Sequence, residues 1–197
     1  MRLPARRSAS APAPVDWLVV GLGNPGRRYA GTRHNIGFEV AALLARRWEL
    51  PRAKEKYRGL LSEGRTGPGG PRVALLAPQT YMNEAGKSVG PARGAYRLAL
   101  QRVLVVHDEI DLPFGDVRTR VGGGLAGHNG LKSLRAELGG ADFTRVRVGV
   151  GRPDSTEPEI VSAHVLGHFA EPAQDVAELV ECAAAAAEGI VLGEREP

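Results

Sequence analysis

Short apolar runs recur along this 197-residue chain, separated by stretches whose apolar residues return every three or four positions. Trp17 to Val20, Val73 to Ala77 and Val103 to Val106 read as strands, and each is followed within two residues by Gly, Pro or Asp. Between the first two, Ile36, Val40, Leu43, Leu44 and Trp48 mark a helix over 36–48, and a second helix is predicted over 85–98. A basic segment, 52–58, precedes a hairpin through Leu60 to Ala77 that turns at Gly67-Pro68-Gly69-Gly70. Later come a strand Val117 to Val121, a helix Leu131 to Leu138 and a strand Thr144 to Val150. A last amphipathic helix is opened by Glu171 and Pro172, with Val176, Leu179, Val180, Ala183, Ala187 and Ile190 on one face; Pro172 suits the first helical turn. This alternation predicts a single compact α/β domain, a twisted mixed β-sheet flanked by helices on both faces.

The length fits one domain over 16–197, and no run is long enough to span a membrane. Met1 to Val15 combines Arg2, Arg6 and Arg7 with Ala, Pro and Ser, and is read as a disordered extension. A single cysteine, Cys182, excludes an internal disulfide and a multi-thiolate zinc site, which points to a reducing, cytoplasmic setting; it is expected to be packed. Charge is segregated. Residues 1–152 carry 25 Lys and Arg against 12 Asp and Glu, a net +13, whereas residues 153–197 carry 1 against 10, a net −9. The basic part is expected to face a polyanion, with the acidic segment away from it.

Gly21, Gly23 and Gly26 have the spacing of a dinucleotide fingerprint directly after the first strand. That fingerprint needs a helix opening at its last glycine. Here Pro25 precedes Gly26, and a segment rich in Arg, Tyr, Thr, His and Asn intervenes before Ile36, so the loop presents side chains instead of a bare backbone cradle. His34 and Asn35 fall at the entrance of the 36–48 helix, where Asn is a favoured cap and the helix field acts on neighbouring groups.

Two further blocks accompany this one: Pro78-Gln79-Thr80-Tyr81-Met82-Asn83-Glu84-Ala85-Gly86-Lys87, and His107-Asp108-Glu109-Ile110-Asp111-Leu112-Pro113 followed by Gly122-Gly123-Gly124-Leu125-Ala126-Gly127-His128-Asn129-Gly130-Leu131-Lys132-Ser133. With the run Gly21 to Gly37, they resemble in order and spacing the three signatures of the bacterial peptidyl-tRNA hydrolase family, over about Trp17 to Arg152. The resemblance implies a single compact α/β domain, and the chain is read as a monomer that needs no cofactor, metal or obligate protein partner. It implies an esterase that releases tRNA from peptidyl-tRNA, with His34 as the catalytic residue, Asp108 orienting it, and a mobile lid after Pro153. Asn24 is implied in distinguishing N-blocked peptidyl-tRNA from free aminoacyl-tRNA. Asn83 and Asn129 are implied to line the substrate crevice, Tyr29 and Tyr81 to meet the substrate or tRNA terminus, and Arg120 and Arg147 to clamp the terminal tRNA phosphate.

The residue types suit that chemistry. Ester hydrolysis needs a base, a group that orients it, oxyanion donors and recognition contacts. An imidazole has its reference pKa near working pH, and a carboxylate on its other nitrogen fixes the tautomer. Asn24, Asn83 and Asn129 offer neutral donors and acceptors, and Met82 a flexible apolar wall. His128 is a second imidazole that either holds the site or contacts substrate, and His107 should point away from Asp108 and pack. Two other readings stay open. His34, His107, Asp108, Asp111 and His128 permit metal-dependent phosphoester hydrolysis, and the basic segment permits an RNA-binding module without catalysis.

Overall fold

In the computed structural model, which describes residues 14–197, the strands are β1 (Trp17–Gly21), β2 (Lys54–Lys56), β3 (Gly59–Arg65), β4 (Arg72–Pro78), β5 (Val103–Glu109), β6 (Val117–Val121) and β7 (Thr144–Gly149). They form one sheet in the order β2-β3-β4-β1-β5-β7-β6. The central four pair in parallel, and β2, β3 and β6 complete the two edges antiparallel. β1 and β5 are buried at every residue, as apolar runs in the middle of a two-sided sheet must be.

Alternate residues of these strands feed two cores. Val19, Leu75, Leu104, Val106, Val146 and Val148 face α1 (Ile36–Arg47) and α5 (Ala173–Leu192), while Leu18, Val20, Ala74, Leu76, Val103 and Val105 face α2 (Gly86–Tyr96) and α3 (Asn129–Leu138). The predicted mixed sheet with helices on both faces is therefore what the chain forms. A further helix, α4 (Pro158–Leu166), has no counterpart among the predicted elements and buries none of its residues.

Some expectations shift. Cys182 is exposed, because the buried stripe of α5 runs through Leu179, Ala183, Ala187 and Ile190 and leaves Cys182 to one side. Pro172 caps α5 from an extended conformation, one position before the first turn. Of the expected disordered extension, residues 1–13 lie outside the described residues, whereas Val15 is buried against the α2 side of the sheet. No helix among the described residues is long and apolar enough to cross a membrane.

Chain direction at the middle of the sheet positions the site. After β1 the chain crosses to α1 and the β4 side; after β5 it proceeds to α3 and the β7 side. The carboxyl ends of β1 and β5 thus flank the point where connections diverge, where open α/β sheets leave a crevice. α1 begins tight against these strand ends: a Cβ on Gly21 would lie 2.2 Å from the Gly37 carbonyl oxygen, and one on Gly37 would lie 2.5 Å from that of Val106. Both positions require glycine for this approach.

Candidate active site

His34 occupies a 3-10 turn, Arg33–Asn35, that leads directly into α1, and Asp108 lies at the end of β5. Nδ1 of His34 donates to both carboxylate oxygens of Asp108, at 2.9 and 3.0 Å. The Nε2 lone pair is left as the basic atom of His34, which lines a cleft of about 780 Å³. Both side chains are largely buried, at 8% exposure for His34 and 3% for Asp108. Burial alone raises a carboxyl pKa, but the His34 and His128 imidazoles outweigh it and hold Asp108 well below the usual range.

His128 resolves into a positioning role. It is the N-cap of α3, and its Nδ1 accepts from the peptide N–H groups of Gly130 and Leu131, at 3.1 and 3.3 Å. That nitrogen must carry a lone pair, so the proton sits on Nε2, which donates to Asp108 Oδ1 at 2.9 Å. The helix terminus therefore fixes the His128 tautomer, and His128 fixes the carboxylate. His107 packs as expected, with its ring 5.1 Å from that of His128 and Nδ1 donating to the Asp108 carbonyl oxygen at 2.7 Å. Burial, reinforced by the adjacent His128, pushes its pKa down to about 3, so it stays neutral.

Asn35 stands at the N-cap of α1 but makes no capping bond. Its amide instead clamps the Asn24 backbone, Oδ1 accepting from the Asn24 N–H at 2.8 Å and Nδ2 donating to the Asn24 carbonyl at 2.9 Å. Asn24 in turn accepts the Met82 N–H on Oδ1 at 2.8 Å. That bond assigns the amide orientation and leaves the Nδ2 donors of Asn24 available to the cleft. Asn24, Tyr81, Met82, Asn83, His128 and Asn129 line the cleft with His34 and Asp108, and the apolar side chains Val161, Val165 and Leu166 of α4 roof it. Tyr29 stands behind the wall, edge-on to Tyr81 with ring centroids 6.5 Å apart.

Arg120 and Arg147 lie apart from the cleft lining, on neighbouring strands. The register sets Arg118 opposite Arg147 and Arg120 opposite Arg145, so four guanidinium side chains share one face of the sheet edge. Nε of Arg147 donates to buried Glu109 at 3.0 Å, and the guanidinium of Arg120 occupies the space a Cβ on Gly123 would need. Arg145, which the sequence reading did not single out, is fully buried; its Nη1 donates to the Gly124 carbonyl at 2.9 Å, while Nε and Nη2 have no hydrogen-bond partner among the described residues. Burial, together with the charges of Arg120 and Arg147, lowers its pKa to about 10. Its position inside a strand, between Thr144 and Val146, gave no sign of function.

The ligand-capable atoms of His34, Asp108 and His128 all lie within 4.8 Å of one another. The two nitrogens that face Asp108 are N–H donors, so a cation there would have to displace both protons. The arrangement is complete as a hydrogen-bonded base with its orienting carboxylate.

Comparison with known proteins identifies the family. The profile of the peptidyl-tRNA hydrolase family matches residues 18–196. The peptidyl-tRNA hydrolase of Halalkalibacterium halodurans is 46% identical over 172 residues, covering 87% of this chain and 91% of that protein. That of Afipia carboxidovorans is 49% identical over 177 residues, covering 89% and 86%. The crystal structure of the Acinetobacter baumannii enzyme superposes with a TM-score of 0.80 at 38% identity, covering 90% of this chain and 89% of that one. A family match from the first strand to the last residues, with relatives of this identity over most of both chains, makes this chain a member of the peptidyl-tRNA hydrolase family.

Proposed function

We propose that His34 is the general base with which this enzyme hydrolyses the ester of peptidyl-tRNA. The observation that carries the proposal is the pair of bonds from His34 Nδ1 to Asp108, which present Nε2 as the basic atom in the cleft. Nε2 removes a proton from water as it attacks the ester carbonyl, and Asp108 stabilises the imidazolium that results. The Nδ2 donors of Asn24, with the amides of Asn83 and Asn129, support the developing oxyanion and read the peptide main chain. The ester breaks to give the peptide carboxylate and the free terminal ribose, and the proton held on Nε2 passes to the departing alkoxide. This accounting needs neither metal nor cofactor.

Asn24 also supports selectivity for N-blocked substrates. With Oδ1 turned to the Met82 N–H, its Nδ2 donors suit a peptide carbonyl and disfavour a free α-ammonium. Arg120 and Arg147 offer guanidinium groups suited to the terminal phosphate of tRNA, on a sheet face they share with Arg118. We take the enzyme to be a cytoplasmic monomer that needs no protein partner.

The test is release of free tRNA from N-acetyl-aminoacyl-tRNA and from unblocked aminoacyl-tRNA, by wild type and His34→Ala, in chelator-containing buffer. Cleavage of the blocked substrate alone, slowed in the variant by about 100-fold or more, is the expected result. Binding without cleavage by wild type would favour a non-catalytic RNA-binding module, and chelator sensitivity would favour the metal-dependent reading.

A further inference from the structure

α4 roofs the cleft with no fully buried residue: Val161, His164 and Val165 are half-buried, and His164 Nε2 donates to the Gly151 carbonyl at 3.0 Å. Its C-terminal end is held by polar ties to the segment just before His34. The Arg33 N–H donates to the Gly167 carbonyl at 3.1 Å, and Thr32 and His168 form an isolated antiparallel bridge. His168 Nδ1 donates to the Gly31 carbonyl at 3.2 Å.

The Arg33 side chain completes the junction. Its Nη1 donates to the His168 carbonyl, its Nη2 pairs with Glu171 at 3.2 Å, and its guanidinium lies over the Phe169 ring at 5.2 Å. The side chain is only 9% exposed, so this ion pair is shielded from water on the Arg33 side. Arg33 is also the first residue of the 3-10 turn that carries His34. One side chain thus grips the end of the roof while its backbone sets the start of the turn that carries His34.

We propose that Arg33 is a positioning residue that couples the seating of α4 over the substrate to the placement of His34. This rests on His34 being the base. When the roof is seated, Gly167 to Glu171 hold Arg33, and Arg33 holds the turn in the register that keeps Nδ1 on Asp108. Loss of the guanidinium releases the roof and loosens the base in the same event, so turnover should suffer more than substrate affinity. Because Arg33 is not among the residues that line the cleft, its effect appears through these two neighbours.

The experiment compares wild type with Arg33→Met, Arg33→Lys and Glu171→Gln, each shown by circular dichroism to be folded at the assay temperature. Two quantities are read: kcat and KM on N-acetyl-aminoacyl-tRNA, and amide hydrogen exchange across 158–171. Arg33→Met, which keeps the stem but loses the donors, should lower kcat by about 10- to 100-fold, change KM much less, and speed exchange in 158–171 without affecting α5. Arg33→Lys should restore part of kcat and part of the protection, and Glu171→Gln should fall between wild type and Arg33→Met. Unchanged kcat in folded Arg33→Met, or a fall in kcat with exchange in 158–171 unaltered, would overturn the coupling. A His34→Ala control separates this from the catalytic reading: if it retains turnover the base assignment fails, while the exchange arm still judges whether Arg33 seats α4.

Discussion

Asp108 accepts from two imidazoles that are not equivalent. His128 has its tautomer set by the N–H groups of α3, whereas His34 has its Nδ1 proton held by Asp108 and its other nitrogen left for chemistry. Asp108→Asn should therefore release the tautomer of His34, while α3 still sets that of His128, and lower kcat by about 100-fold or more, with KM little changed, in steady-state assays. Asn24→Asp tests selectivity: it keeps an acceptor for the Met82 N–H but replaces the Nδ2 donors with an anionic oxygen. The ratio of blocked to unblocked turnover should fall by about tenfold. His34, Asp108 and the three asparagines were legible in the sequence because they stand at strand ends and helix starts inside distinctive blocks. What His128 does was not, because its role depends on which helix N–H groups face its Nδ1.

Among the elements, α3 is tied to the site by its own cap. His128→Asn can still cap the helix but is too short to serve Asp108 equally, whereas His128→Ala loses both functions. The alanine variant should be the less stable of the two by about 1 kcal/mol in urea unfolding, while both lose turnover. On β5, His107 makes stability depend on pH. Its ordinary pKa of about 6.5 applies in the unfolded chain, and in the folded one it is about 3. Between those values the unfolded chain takes up a proton that the folded chain does not, so stability falls as pH drops from about 6.5 towards 3 and is unaffected above that window. Asp108, depressed in the fold, adds a further loss below about pH 4, as the unfolded chain's carboxyl begins to protonate. His107→Asn should flatten the upper part of the acid limb in a pH series of thermal melts. Strands and the larger helices could be read from periodicity because each buries a continuous face. α4 could not, since its apolar side chains face the cleft and bury nothing in the core.

At the scale of the whole molecule, the arginines of β6 and β7 lie on the sheet face that carries α2 and α3, and the acidic α5 covers the opposite face. There Glu181 and Glu188 hold Arg47, and Glu188 also accepts from the Trp48 indole at 2.7 Å. Binding of tRNA should weaken linearly in a plot of log affinity against log salt, and Arg120→Ala should reduce the slope by about one. Filter binding from low to high salt measures this, and an unchanged slope would remove Arg120 from the phosphate contact. The four arginines of β6 and β7 thus lie across the sheet from the helix that carries Asp175, Glu178, Glu181 and Glu188. The enzyme is an electric dipole, and a dipole near a polyanion feels a torque before it feels a contact. An incoming tRNA should turn the molecule so that the arginine face leads and α5 trails, which makes successful collisions more frequent than random orientation would allow.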